Sequence, residues 1–140
     1  DITSSSGWDT IKNESFLTEI VDEFKRNKIR TSIFLNPDTK FIENLHKIDP
    51  DRIELFTEDY AVNYKQGNYA AIGPYVECAK LLNQLNIGIN AGHDLSLNNI
   101  EFFKKKINNL LEVSIGHALI TESLFLGIET VIKSYLQKLS

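Results

Sequence analysis

The sequence predicts an α/β fold in which short parallel strands alternate with covering helices. Two observations predict it. Short apolar runs recur along the 140 residues, each followed by a segment with helical spacing, and Pro, Gly or Asn stands at most of the junctions.

In order, "ESFLTEIVDEFKRNK" places Phe16, Leu17, Ile20, Val21 and Phe24 three and four apart, an amphipathic helix. "TSIFL" is a strand closed by Asn36-Pro37, and "DTKFIENLHKI" reads as the helix after it. "RIELFT" repeats the strand signal after Asp49-Pro50. A loop with Gly67 and Gly73 follows, then the helix "PYVECAKLLNQL" with Pro74 in its first turn. "IGINAG" is a third strand, and "LNNIEFFKKKI" its helix, with Ser96 and Asn98 as cap residues. "LLEVSIG" is a fourth strand. The helix "ESLFLGIETVIKSYLQKL" ends the chain, with Leu124, Phe125, Ile128, Ile132, Tyr135 and Leu136 on one face.

Polar residues inside the strands carry the next step. Alternation puts Ile53 and Leu55 under the helices and turns Glu54 and Phe56 the other way. By the same rule Ile87 and Ile89 face the helices while Gly88 and Asn90 oppose them. Val113 and Ile115 face outward, Ser114 and Gly116 inward. A flat sheet covered on both sides needs apolar residues at those inner positions. A closed (β/α)8 TIM barrel opening onto a substrate pocket accommodates Glu54, Asn90 and Ser114 together, and this chain would supply its last four strand-helix units. Glu54 alone also fits the solvated face of an edge strand. No repeat or linker divides the chain, so residues 1–140 read as half of one domain. The chain lacks methionine, and we expect it to begin partway through a longer protein whose N-terminal half it requires.

Composition narrows the function. A net charge of −4, with lysines scattered among acids, argues against a nucleic-acid partner. No apolar run approaches the ~20 residues of a membrane helix, and "DITSSSGWDT" has no secretory character, so no membrane association is expected. Cys78 is the only cysteine and reads as a reduced packing residue, in keeping with a cytoplasmic location.

Active sites of such barrels lie at the C-terminal strand ends. His93 and His117, two of the three histidines, directly follow strands. His93 comes after Gly92 and near an inward Glu54, where an imidazole can exchange protons near neutral pH; a loop histidine bonded to a backbone carbonyl is the plainer alternative. In "SIGHALI" Gly116 ends a strand and His117 opens a helix, so free N–H groups and the helix dipole suit a phosphate; a tight strand-to-helix junction explains the glycine equally well. His46 reads as a surface or helix-end residue. The histidines show no metal-ligand spacing.

"INAGHDLSLNN" followed by "LLEVSIGHALITESLFLGIETVI" resembles the C-terminal part of the pyridoxine 5'-phosphate synthases. "RIELFTEDYA" is similar to that family's strand with its inward Glu, and "DITSSSGWD" to its fourth loop. The resemblance implies a TIM barrel assembled into homo-octamers. It also implies condensation of 3-amino-2-oxopropyl phosphate with 1-deoxy-D-xylulose 5-phosphate to pyridoxine 5'-phosphate, phosphate and water, with no metal or organic cofactor. It makes His93 the proton donor and Glu54 the carboxylate that stabilises charged intermediates. Gly116 and His117 become the phosphate-binding pair, and Thr3 and Asp94 substrate contacts. Asp94 stands where many members have glycine, and Phe56 where several have histidine. Ser4 to Ser6 replace a Glu-Gly-Gly-like stretch. Another phosphate-binding barrel lyase or isomerase, or a non-catalytic half-barrel association module, is the alternative.

Overall fold

The computed structural model describes residues 6–140. Its helices and strands alternate as α1 (Glu14–Arg26), β1 (Ser32–Leu35), α2 (Leu45–Ile48), β2 (Arg52–Phe56), α3 (Glu58–Lys65), α4 (Gly73–Gln84), β3 (Gly88–His93), α5 (Ile100–Lys106), β4 (Leu110–Ile115), α6 (His117–Leu126) and α7 (Ile128–Leu139). Short 3-10 turns lie at Thr39–Phe41 and Tyr69–Ile72. All four strands are parallel in the order β1-β2-β3-β4, so strands consecutive in sequence are neighbours in space, as successive βα units require.

Alternation divides the sheet as expected. Leu35, Ile53, Leu55, Ile89 and Ala91 are buried on the helix side against Leu82, Phe103, Tyr60 and Tyr75. On the other face the register sets Phe34, Glu54, Asn90 and Glu112 side by side, with Phe56, Gly92 and Ser114 in the next row toward the C-terminal ends. A bulge in β4 makes this possible. Ile89 pairs with Leu110 but Asn90 pairs with Glu112, so Leu111 is the extra residue, and the shift returns Glu112 and Ser114 to the inner face.

Charges knit that face together. Arg30, just before β1, donates two hydrogen bonds to the Glu112 carboxylate at 2.9 and 3.1 Å. Asn90 Nδ2 donates to the same carboxylate at 3.1 Å, and Arg52 donates to Asn90 Oδ1 at 3.1 Å. In a flat sheet β1 and β4 would stand about 14 Å apart, at ~4.8 Å per strand spacing. Curling toward this face brings Arg30 and Glu112 together, the curvature of a barrel wall. The Arg30 guanidinium holds the Glu112 carboxyl below its usual range.

Four expectations need correction. Residues 58–65 form α3 rather than a loop: Glu58 and Asp59 favour its positive N-terminal end, and Tyr60 is buried beneath it. The helix expected over 38–48 is a 3-10 turn plus one α-turn, because Ile42 and Leu45, three apart, are both driven fully into the core. The long final helix breaks at Gly127, whose φ of 80° and ψ of 139° are not helical. The break resets the phase, leaving Leu124 79% and Phe125 88% exposed while Val131 and Tyr135 are buried. Residues 97–99 form a turn, so α5 is preceded by Asn99 and not by Ser96 or Asn98. No described helix is long and apolar enough to cross a membrane.

Candidate active site

The strand ends of β2, β3 and β4 surround one open cavity of about 760 Å³, lined by Glu54, His93, Asp94, Ser114, Ile115, Gly116 and His117. Five of the six residues singled out from the sequence therefore share one space; Thr3 lies outside the described residues.

Glu54 reaches the cavity because the next inward position on β3 beyond its register partner Asn90 is Gly92. A Cβ at Gly92 would lie 2.4 Å from Glu54 Oε1 and 2.8 Å from Ser114 Cβ, so the carboxylate occupies the volume a side chain would fill. Glu54 is half-buried between Phe34 and Asn90 in the register.

His93 ends β3 with φ of 91°, a conformation that L side chains rarely adopt and that concentrates at functional sites. Its ring meets Phe34 and Phe56 at centroid distances of 4.9 and 5.6 Å, the latter edge-on, and those two rings lie 5.2 Å apart. Phe56 thus forms part of an aromatic wall behind the imidazole. Asp94 is exposed at the rim. Its N–H donates to Thr57 Oγ1 at 3.1 Å and its carbonyl accepts from Asn99 Nδ2 at 3.2 Å, so both its backbone groups are engaged within the chain.

Gly116 precedes the first turn of α6, which opens at His117 with no side chain capping it. The first N–H groups of a helix have no intrahelical partner and lie at its positive end, and here they border the cavity that holds His93 and Glu54. Glu122 fixes this helix from behind. It accepts hydrogen bonds from the Leu97 N–H at 3.1 Å and the Tyr135 hydroxyl at 2.5 Å, joining α6 to the β3–α5 loop and α7. Burial and the Glu122 carboxylate push the Tyr135 hydroxyl pKa upward, so it stays a donor.

On the helix side, Tyr75 donates to the Phe56 carbonyl at 2.9 Å and Tyr60 to the Asn99 carbonyl at 2.7 Å, tying β2 and the β3–α5 loop to α4 and α3. Gly7 lies over the end of β1, where a Cβ would sit 2.4 Å from Leu35 Cα, and its N–H donates to Asn36 Oδ1 at 2.7 Å. His46 is exposed, its Nδ1 2.9 Å from the Glu43 carbonyl. Among the described residues no three His, Cys, Asp or Glu side chains are grouped to hold a metal ion.

Sequence reasoning assigned no role to Thr57, which it placed at a strand end, nor to Phe34 or Glu122. A threonine directly after the strand carrying Glu54 was the available signal for Thr57, and the alternation of β1 for Phe34; nothing local marks Glu122.

The chain is similar to proteins of known name. The pyridoxine 5'-phosphate synthase of Flavobacterium johnsoniae is 59% identical over 138 residues, which cover 99% of this chain and 58% of that protein. The enzyme of the same name from Christiangramia forsetii is 56% identical over 138 residues, with the same coverage. That of Bacteroides fragilis is 54% identical over 134 residues, covering 96% of this chain and 56% of the relative. The chain thus spans less than three-fifths of the length of these relatives. The family model of the pyridoxal phosphate biosynthesis protein PdxJ matches residues 1–140, every position on which the cavity is built, and the chain belongs to that family.

Proposed function

We propose that this chain is the C-terminal half of a pyridoxine 5'-phosphate synthase, and that four further strands from the rest of the protein close its sheet into a (β/α)8 barrel. What supports it most is the convergence of an imidazole, a carboxylate and a helix N-terminus on one cavity. Among the described residues no further strand pairs with the outer edge of β1 or of β4, and this and the curl of the inner face support a barrel that other strands complete. The substrates are 3-amino-2-oxopropyl phosphate and 1-deoxy-D-xylulose 5-phosphate. The octameric assembly implied by the resemblance would cover apolar residues such as Leu124 and Phe125.

Each group has a matching task. The N–H groups at Gly116 and His117 hold a substrate phosphate, fixing it at a point remote from the reacting carbons. Joining an amine to a carbonyl and expelling water demands that protons reach departing hydroxyls, which His93 supplies as general acid. Glu54, inside the wall, stabilises the positive charge that develops on nitrogen. Asp94 contacts substrate at the rim, and Thr3 is a further substrate contact.

Replacing His93 by Asn in the complete protein should lower turnover by roughly 100-fold or more, the usual worth of general acid catalysis. Inhibition by inorganic phosphate should be unchanged, because the phosphate cradle is backbone. Unchanged turnover would remove His93 from the proton-transfer step.

A further inference from the structure

Thr57 begins α3 at the N-cap position, where a threonine ordinarily turns its hydroxyl onto its own helix. Here it caps nothing in that helix. The fully buried hydroxyl reaches instead to β3, donating to the Gly92 carbonyl at 2.6 Å and accepting from the Asp94 N–H at 3.1 Å. The Thr57 N–H donates to the same Gly92 carbonyl at 3.2 Å. These bonds grip the backbone on both sides of one residue. That residue is His93, whose φ of 91° is otherwise disfavoured.

We infer that Thr57 is a positioning residue for the reaction: its hydroxyl bridges Gly92 and Asp94 and so holds the His93 backbone in the left-handed conformation that aims the imidazole at the substrate. This rests on His93 being the proton donor proposed above. The geometry explains a buried hydroxyl diverted from its own helix, and it links the end of the strand carrying Glu54 to the end of the strand carrying His93. Phe34 and Phe56 limit where the ring can lie. Thr57 limits where the ring starts from.

The test pairs Thr57→Val, which keeps the branched shape and removes the hydroxyl, with Thr57→Ser, which keeps the hydroxyl. Both are made in the complete enzyme, alone and combined with His93→Asn. T57V should lower kcat by roughly 100-fold, as expected for a catalytic group misplaced by about 1 Å, with little change in inhibition by inorganic phosphate. T57S should retain most of the activity. In the H93N background T57V should have no further effect on kcat, because the group it positions is gone. A T57V variant with normal kcat, an equal loss in both backgrounds, or a T57S variant as impaired as T57V would each overturn the assignment; the T57S result decides it even if T57V does not fold. Wild-type turnover in H93N itself would remove the acid role of His93, a separate failure.

Discussion

Replacing Gly92 by Ala adds one methyl group where the structure has least room for it. The new Cβ would lie 2.4 Å from Glu54 Oε1, 2.8 Å from Ser114 Cβ and 3.1 Å from the Ser114 carbonyl oxygen. Ordinary contact begins at 3.4 Å, so the carboxylate must retreat by 1.0 Å. Stability should fall within the ~1–3 kcal/mol typical of overpacking, because the Glu54 carboxylate can swing aside but Ser114 Cβ and its carbonyl oxygen are fixed to β4. Function should suffer as well. A misplacement of about 1 Å costs about 100-fold in rate, or about 2.7 kcal/mol of barrier at ~1.36 kcal/mol per tenfold. The assay is steady-state formation of pyridoxine 5'-phosphate by the complete enzyme, alongside a thermal melt. Gly73→Ala is the matched control: it makes the same chemical change at the first residue of α4, where nothing lies within 4 Å of the added Cβ. Alanine favours the helix there, so G73A should be at least as stable and fully active. A G92A enzyme with wild-type kcat, or one no more impaired than G73A, would refute the claim that Gly92 makes room for the Glu54 carboxylate.

Two further outcomes follow from burial and charge. Cys78 is fully buried in α4, and burial pushes its thiol up to about 12, so a water-soluble disulfide reagent should not modify the native protein but should react with it on unfolding. Asp51 accepts hydrogen bonds from the Thr31 N–H at 2.7 Å and Thr31 Oγ1 at 2.9 Å, and the backbone bond chiefly lowers its pKa. A lowered carboxylate pKa contributes stability that is present above the unfolded value of ~3.9 and lost as pH falls through the folded value. Asp51→Asn should therefore melt below wild type at pH 7 and pH 5 by the same margin, and the gap should close below pH ~4; a gap that persists in acid would contradict it.

The strand faces were legible because strand alternation is local. Ile53 and Leu55 could be placed under helices, and Glu54 opposite them, from five consecutive residues. The bulge at Leu111 was not, since nothing in "LLEVSIG" distinguishes an extra residue from an ordinary one. α3 stayed hidden because its apolar residues trace no clear stripe, and its stability comes from Tyr60 packing against Tyr75 and Phe103. The helical spacing of the apolar residues runs through Gly127 without interruption, and only the backbone angles reveal the break. In the site, His93, Glu54, Gly116 and His117 were readable as residues at strand ends. The role of Thr57 was not, because its partner lies 35 positions away and tertiary structure alone brings the two together.

The most direct measurement is a crystal structure of the complete protein with inorganic phosphate. The anion should lie within hydrogen-bonding distance of the backbone nitrogens of Gly116 and His117, with the His93 imidazole and the Glu54 carboxylate facing it across the same cavity. Phosphate bound elsewhere with none at the β4–α6 junction, or His93 and Glu54 turned into separate spaces, would contradict the account.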